Sequence, residues 1–155
     1  MKCYDEWWLD TDMNRMGYLF EYCDKYCNEI LGIDRNKINK VKLLTAFMKS
    51  RFRKEMEQGH PKFLSQASYD SIKQWISVDY NNDISQFLQE SNNKKFEQNQ
   101  LYWIGWIYAY IHFVSKLSSK EIIKRLPIKT MLQHYALCHE ISKESYYKRI
   151  EDQLK

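Results

Sequence analysis

The chain has 155 residues, 44% hydrophobic and 15% aromatic, with four glycines and two prolines. That apolar content excludes wholesale disorder and can build one packed domain, while glycines only at 17, 32, 59 and 105 exclude Gly-rich phosphate loops and turn-dense β-sandwiches. The net charge of +4 conceals −5 over residues 1–34 beside +7 over residues 35–62, a polarity that suggests pairing inside the fold or two faces for partners.

The N-terminal run Tyr4-Asp5-Glu6-Trp7-Trp8-Leu9 places two tryptophans side by side. Adjacent residues cannot both face one core side, so one of the pair is a candidate interface anchor. The spacing of Met16, Leu19, Phe20, Cys23, Cys27, Ile30 and Leu31 predicts an acidic helix over about 12–31, ended by Gly32. Asp34 should cap a second, basic helix over about 35–58, with Ile38, Val41, Leu44, Met48, Phe52 and Met56 inward. Phe47 also faces in on this reading. Gly59-His60-Pro61 should end that helix. Ser68 should cap a short third helix to Ile76, and a helical turn is expected near Ile84–Leu88.

Residues 90–100 read as a polar exposed loop. The stretch Leu101–Leu117 is apolar on nearly all sides and predicts the central helix, with Gly105 allowing another helix to approach closely. Ser118 and Glu121 form a capping box, Pro127 suits the first position of the next helix, and Ser142 should cap the last one. The expected architecture is all-α: a compact bundle of six or seven helices around residues 101–117, forming one domain over 1–155.

No residue constellation specifies a chemical reaction, so no catalytic residue, metal or cofactor is expected. Cys23 and Cys27 lie four apart on an apolar helix face, which reads as buried reduced thiols; a zinc site would need further ligands such as His134 and His139. The central apolar stretch is too short to span a bilayer and no secretory signal is evident, so a soluble cytoplasmic protein without membrane contact is expected. Arg53 and His60 match the Arg-x6-His spacing of HEPN-type ribonucleases, although His60 sits in a helix terminator. Residues 117–126 resemble the opening of a LuxR-type helix-turn-helix, and 127–134 its second helix, but Pro127 occupies the turn position that favours glycine. Nucleic-acid binding is therefore a second choice. His112, on an apolar helix, reads as a hydrogen-bonded core residue.

The order of landmarks from Arg51 onward resembles a family of small bacterial proteins. The landmarks are Arg51, Phe52, Gly59, Pro61 and Lys62, then Tyr102-Trp103-Ile104-Gly105-Trp106-Ile107-Tyr108-Ala109-Tyr110, then Pro127, Met131, Tyr135, His139 and Glu140. The resemblance covers roughly two-thirds of the chain and excludes the acidic first helix. Such proteins look like partners of ADP-ribosyltransferase-like toxins, which implies an antitoxin-like inhibitor binding a protein partner in a stoichiometric complex. A phage-encoded inhibitor of a bacterial defence system, of the anti-CRISPR type, would show the same sequence physics. The interface residues expected on this reading are Trp7, Trp8, Lys40, Arg51 and Arg53.

Overall fold

The computed structural model describes residues 4–59, 63, 65–91 and 95–155, and these form an all-helical bundle. Nine α-helices run in chain order among the described residues: α1 Leu9–Glu21, α2 Lys25–Glu29, α3 Lys40–Met48, α4 Arg51–Glu57, α5 Ser68–Tyr80, α6 Gln100–Ser115, α7 Ser119–Arg125, α8 Ile128–Cys138 and α9 Lys143–Ile150. Short 3-10 turns cover Glu6–Trp8, Arg35–Lys37, Ser85–Phe87 and Glu151–Leu154. The only β pairing among the described residues is one antiparallel bridge, Ile38 to Leu88. No helix there is long and apolar enough to cross a membrane.

The expected central helix is α6, whose Ile104, Ile107, Tyr108, Ala109, Ile111 and His112 are fully buried. Each such aliphatic side chain contributes roughly 1.5–3 kcal/mol by leaving water. Helix α1 lies antiparallel along it: Tyr102 packs at Gly17, Gly105 at Met16, and Phe113 stacks on Tyr4. A Cβ at Gly105 would stand 2.2 Å from the Met16 carbonyl oxygen, so close helix approach is why glycine occupies this position. The middle of α6 is tied down by the Tyr108 hydroxyl, which donates to the Leu126 carbonyl at 2.6 Å.

Two long helices read from the sequence are each broken. The acidic one begins earlier, at Leu9, and divides at Tyr22–Asp24, where the buried Asp24 carboxylate sits 3.3 Å from Lys40 Nζ. The basic one divides into a 3-10 turn, α3 and α4. Asn39 caps α3 by accepting from the Lys42 N–H, and Ser50 caps α4 by accepting from the Arg53 N–H. Ser50 also donates to the Phe47 carbonyl at 2.6 Å, a local bond that competes with helix continuation. The break lets Phe47 and Phe52 both face inward, as expected, and also turns Arg53 and Glu57 into the core.

Smaller adjustments follow the same logic. Ser68 is not the N-cap of α5; Ala67 is, and the Ser68 hydroxyl donates to the Arg15 carbonyl instead. That helix runs on to Tyr80 and stops where Asn81 and Asn82 take positive φ, a conformation asparagine tolerates. Ser118 and Ser142 cap α7 and α9 as expected, and Pro127 is the residue before α8 rather than its first. His60, Pro61 and Lys62, which carry the expected terminator and two of the family landmarks, lie outside the described residues, as does Cys3.

Candidate protein-interaction surface

Arg53, expected at an interface, is fully buried. Its guanidinium grips Asp12 through two bonds, Nη1 to Oδ1 at 2.6 Å and Nη2 to Oδ2 at 3.0 Å. Its Nε donates to Ser119 Oγ at 3.1 Å and lies 3.3 Å from Glu57 Oε1. The Tyr4 hydroxyl donates to Asp12 Oδ2 at 2.6 Å, and the Ser119 N–H donates to Glu57 Oε1 at 2.7 Å. His112 closes the cluster, its Nδ1 3.8 Å from Glu57 Oε2 and 2.7 Å from the Leu117 carbonyl. Burial holds its pKa below the ordinary histidine value, with Arg53 acting the same way against the carboxylates of Glu57 and Asp12.

This network corrects the expected role of Arg53. A buried guanidinium needs paired carboxylates, and Asp12 on α1 and Glu57 one turn along α4 supply them. The arginine of the Arg-x6-His match is thereby directed into the fold, away from any RNA phosphate, while His60 lies outside the described residues. The charge polarity of the sequence is resolved partly in the same way: Asp12 pairs with Arg53, and Asp24 with Lys40 and Arg35.

The other expected interface residues are scattered. Trp7 is 70% exposed and its ring lies 4.3 Å from that of Trp8, which packs half-buried against the core. Lys40 reaches over the Phe96 ring while pairing with Asp24. Arg51 is exposed and its Nε lies 3.3 Å from Glu55 Oε1. Arg51 lines a cleft of about 570 Å³ with Lys49, Lys54 and Lys120. In the helix pair α7–α8, Ile122, Ile123, Ile128, Met131 and Tyr135 are buried, and the outward residues include Lys124, Lys129 and Gln133.

The structure brings together aromatics of α1, α6 and α8 that the sequence does not single out as a site. Asn14 and Tyr18 fall four apart on the outer side of α1 with Tyr22 at its C-cap, and Tyr102, Trp106 and Tyr110 fall four apart on the outer side of α6. Tyr18 meets Tyr102 edge-on at 5.1 Å and Tyr22 in a stack at 6.3 Å, and the Tyr102 hydroxyl donates to Asn14 Oδ1 at 2.9 Å. From α8, Tyr135 and His139 stack on each other at 4.2 Å. Between these helices opens a groove of about 530 Å³ lined by Tyr18, Asn99, Tyr102, Trp103, Trp106, Tyr135 and His139. Tyr18 and Tyr22 are each about half exposed, at 49% and 51%.

Three carboxylates lie near lining residues of this groove. Glu21 Oε2 accepts the Tyr102 N–H at 3.2 Å, Glu140 Oε1 lies 3.9 Å from His139 Nε2, and Glu97 lies beside Gln98, whose carbonyl accepts from the Tyr135 hydroxyl at 3.2 Å. Burial, and then the charges of Glu97, Glu21 and Glu140, push the Tyr135 phenol above its ordinary pKa. The sequence signal for this site was the four-residue spacing of Tyr102, Trp106 and Tyr110. It is masked because α6 is apolar on every side, so no face stands out.

Among the described residues no group of three or more His, Cys, Asp or Glu is arranged to hold a metal ion. Cys23, Cys27 and Cys138 are buried free thiols. Burial, reinforced by Asp24, raises the Cys23 thiol pKa strongly and pushes that of Cys27 up to about 11. His134 is engaged with the Tyr146 hydroxyl at 2.8 Å. Comparison with protein-family models, curated proteins and solved structures gives no match for this chain. The class defined by fold and surface is an all-α helical bundle with a groove lined largely by aromatic side chains.

Proposed function

We propose that this chain is a non-enzymatic, antitoxin-like inhibitor that neutralises a partner protein, a toxin or a defence effector, by stoichiometric complex formation in the cytoplasm. The observation that carries this reading is the aromatic face of α1, α6 and α8, with Tyr18, Tyr102, Trp106 and Tyr135 around an open groove. Tyrosine and tryptophan supply large contact area at small entropic cost and dominate interface energetics. Tyr18 and Tyr22 stand about half exposed beside the partly buried Tyr102 and Trp106, and a chain with such a patch gains from covering it. Trp7 extends the same argument to the N-terminus of α1.

The test is purification of the native partner on the immobilised chain, followed by light scattering of the isolated pair. The expected result is one partner protein in a fixed ratio, lost when Trp106 and Tyr18 are replaced by alanine. Turnover of a small molecule or cleavage of RNA by the purified chain alone would overturn the reading. A second reading, a nucleic-acid-binding regulator, is favoured only by the cleft of Lys49, Arg51, Lys54 and Lys120. It predicts salt-dependent binding to duplex DNA that is lost on charge reversal at those positions.

A further inference from the structure

Resting on the inhibitor reading, we propose that the groove between Tyr18, Trp106 and Tyr135 receives a cationic side chain, arginine or lysine, of the partner protein. Its lining is largely aromatic, and the carboxylates of Glu21 and Glu140 lie next to its lining residues Tyr102 and His139. Cations are drawn to the faces of tyrosine and tryptophan, and a guanidinium also stacks on them. No lysine or arginine lines the groove. Among the described residues no lysine or arginine lies within ion-pair distance of Glu21, Glu97 or Glu140. His139 is the one basic side chain in the lining, its Nδ1 2.6 Å from the Tyr135 carbonyl oxygen and its Nε2 3.9 Å from Glu140 Oε1. Glu21 and Glu97 also border the adjoining groove, where Lys40 and Arg35 lie 3.3 and 3.9 Å from Asp24 and Lys95 is exposed.

An acidic partner segment would meet the negative field of Glu21, Glu97 and Glu140 beside the groove, and a purely apolar one would make no use of it. A cationic side chain satisfies both the walls and the rim. Charge complementarity thus selects one kind of occupant.

The probes are fluorescein-labelled, end-blocked hexa-arginine, hexa-lysine and hexa-glutamate peptides, titrated by anisotropy into the full chain. Hexa-arginine or hexa-lysine should bind, with hexa-glutamate at least tenfold weaker. The triple change Glu21→Gln, Glu97→Gln, Glu140→Gln, which keeps side-chain size, should weaken the cationic peptide about tenfold, as should Trp106→Ala. The charge-matched control Glu29→Gln, Glu90→Gln, Glu151→Gln alters exposed residues outside the groove and should weaken it less than about twofold.

Equal affinity for hexa-glutamate, equal losses in the groove and control variants, or no binding of either cationic peptide would each overturn the proposal. If the native partner still binds in a way that needs Trp106 while no cationic peptide does, the inhibitor reading stands and the cationic occupant falls. If neither binds, both fall.

Discussion

Replacing Arg53 by methionine should lower the stability of this protein more than any other single change at a charged residue. Two buried carboxylates depend on that guanidinium: Asp12 through bonds of 2.6 and 3.0 Å, and Glu57 at 3.3 Å. Both are fully enclosed, so water cannot take over the lost charge. Breaking a buried pair from one side costs about 3–5 kcal/mol, because the remaining charge is left uncompensated. Native domains are held by only about 5–15 kcal/mol in total. For a chain of this size each kcal/mol corresponds to about 2–4 °C, so Arg53→Met should melt roughly 6–20 °C below wild type.

Urea denaturation followed by circular dichroism gives the free energy, and a double-mutant cycle with Asp12→Asn isolates the pair. The double variant should be more stable than the sum of the singles predicts, by about 1–3 kcal/mol. A loss below about 1 kcal/mol in Arg53→Met, or strict additivity with Asp12→Asn, would refute the buried-pair account. An Arg53→Met protein with unchanged melting that no longer bound its partner would return Arg53 to the interface.

Three further outcomes follow from the core. Gly105→Ala gains about 1 kcal/mol of helix propensity, yet its Cβ meets the Met16 carbonyl at 2.2 Å; the net loss should be about 1–3 kcal/mol, measurable by thermal denaturation. His112 has a folded pKa below its unfolded value, so the unfolded state binds the extra proton. Stability should therefore fall as pH drops below about 6.5, by at most about 1.4 kcal/mol per pH unit for this group, and His112→Gln should flatten that part of the profile in urea denaturation. In a Cys3→Ser background, Cys23 and Cys27 should react with a thiol reagent only after denaturation, since burial keeps both as neutral thiols.

The sequence carried the helical class and most of the punctuation. Ser118, Ser142 and Gly105 could be read because each acts locally or through one simple steric fact. The buried ion network could not. Arg53 and Glu57 are spaced as any solvated pair on a basic helix would be, and only the break at Ser50 turns them inward toward Asp12, 41 residues away. That break is a local bond from Ser50 to Phe47 overriding a pattern that otherwise favours one continuous helix. The aromatic groove was hidden for the opposite reason: α6 offers no polar face to contrast with Tyr102, Trp106 and Tyr110. Tyr18 and Tyr22 likewise fall between the core positions Met16, Leu19, Phe20 and Cys23 of the first stripe. Their exposure depends on where α6 and α8 come to rest, which one-dimensional periodicity does not encode.

The inhibitor account is tested most directly by isolating complexes from the native cell with three baits: wild type, the double variant Tyr18→Ala, Trp106→Ala, and a control with Lys49→Glu and Lys54→Glu in the basic cleft. The account predicts one protein held in a fixed ratio by wild type and by the control, and released at least tenfold faster by the groove variant. A complex indifferent to the groove variant, or one lost only in the control, would contradict it.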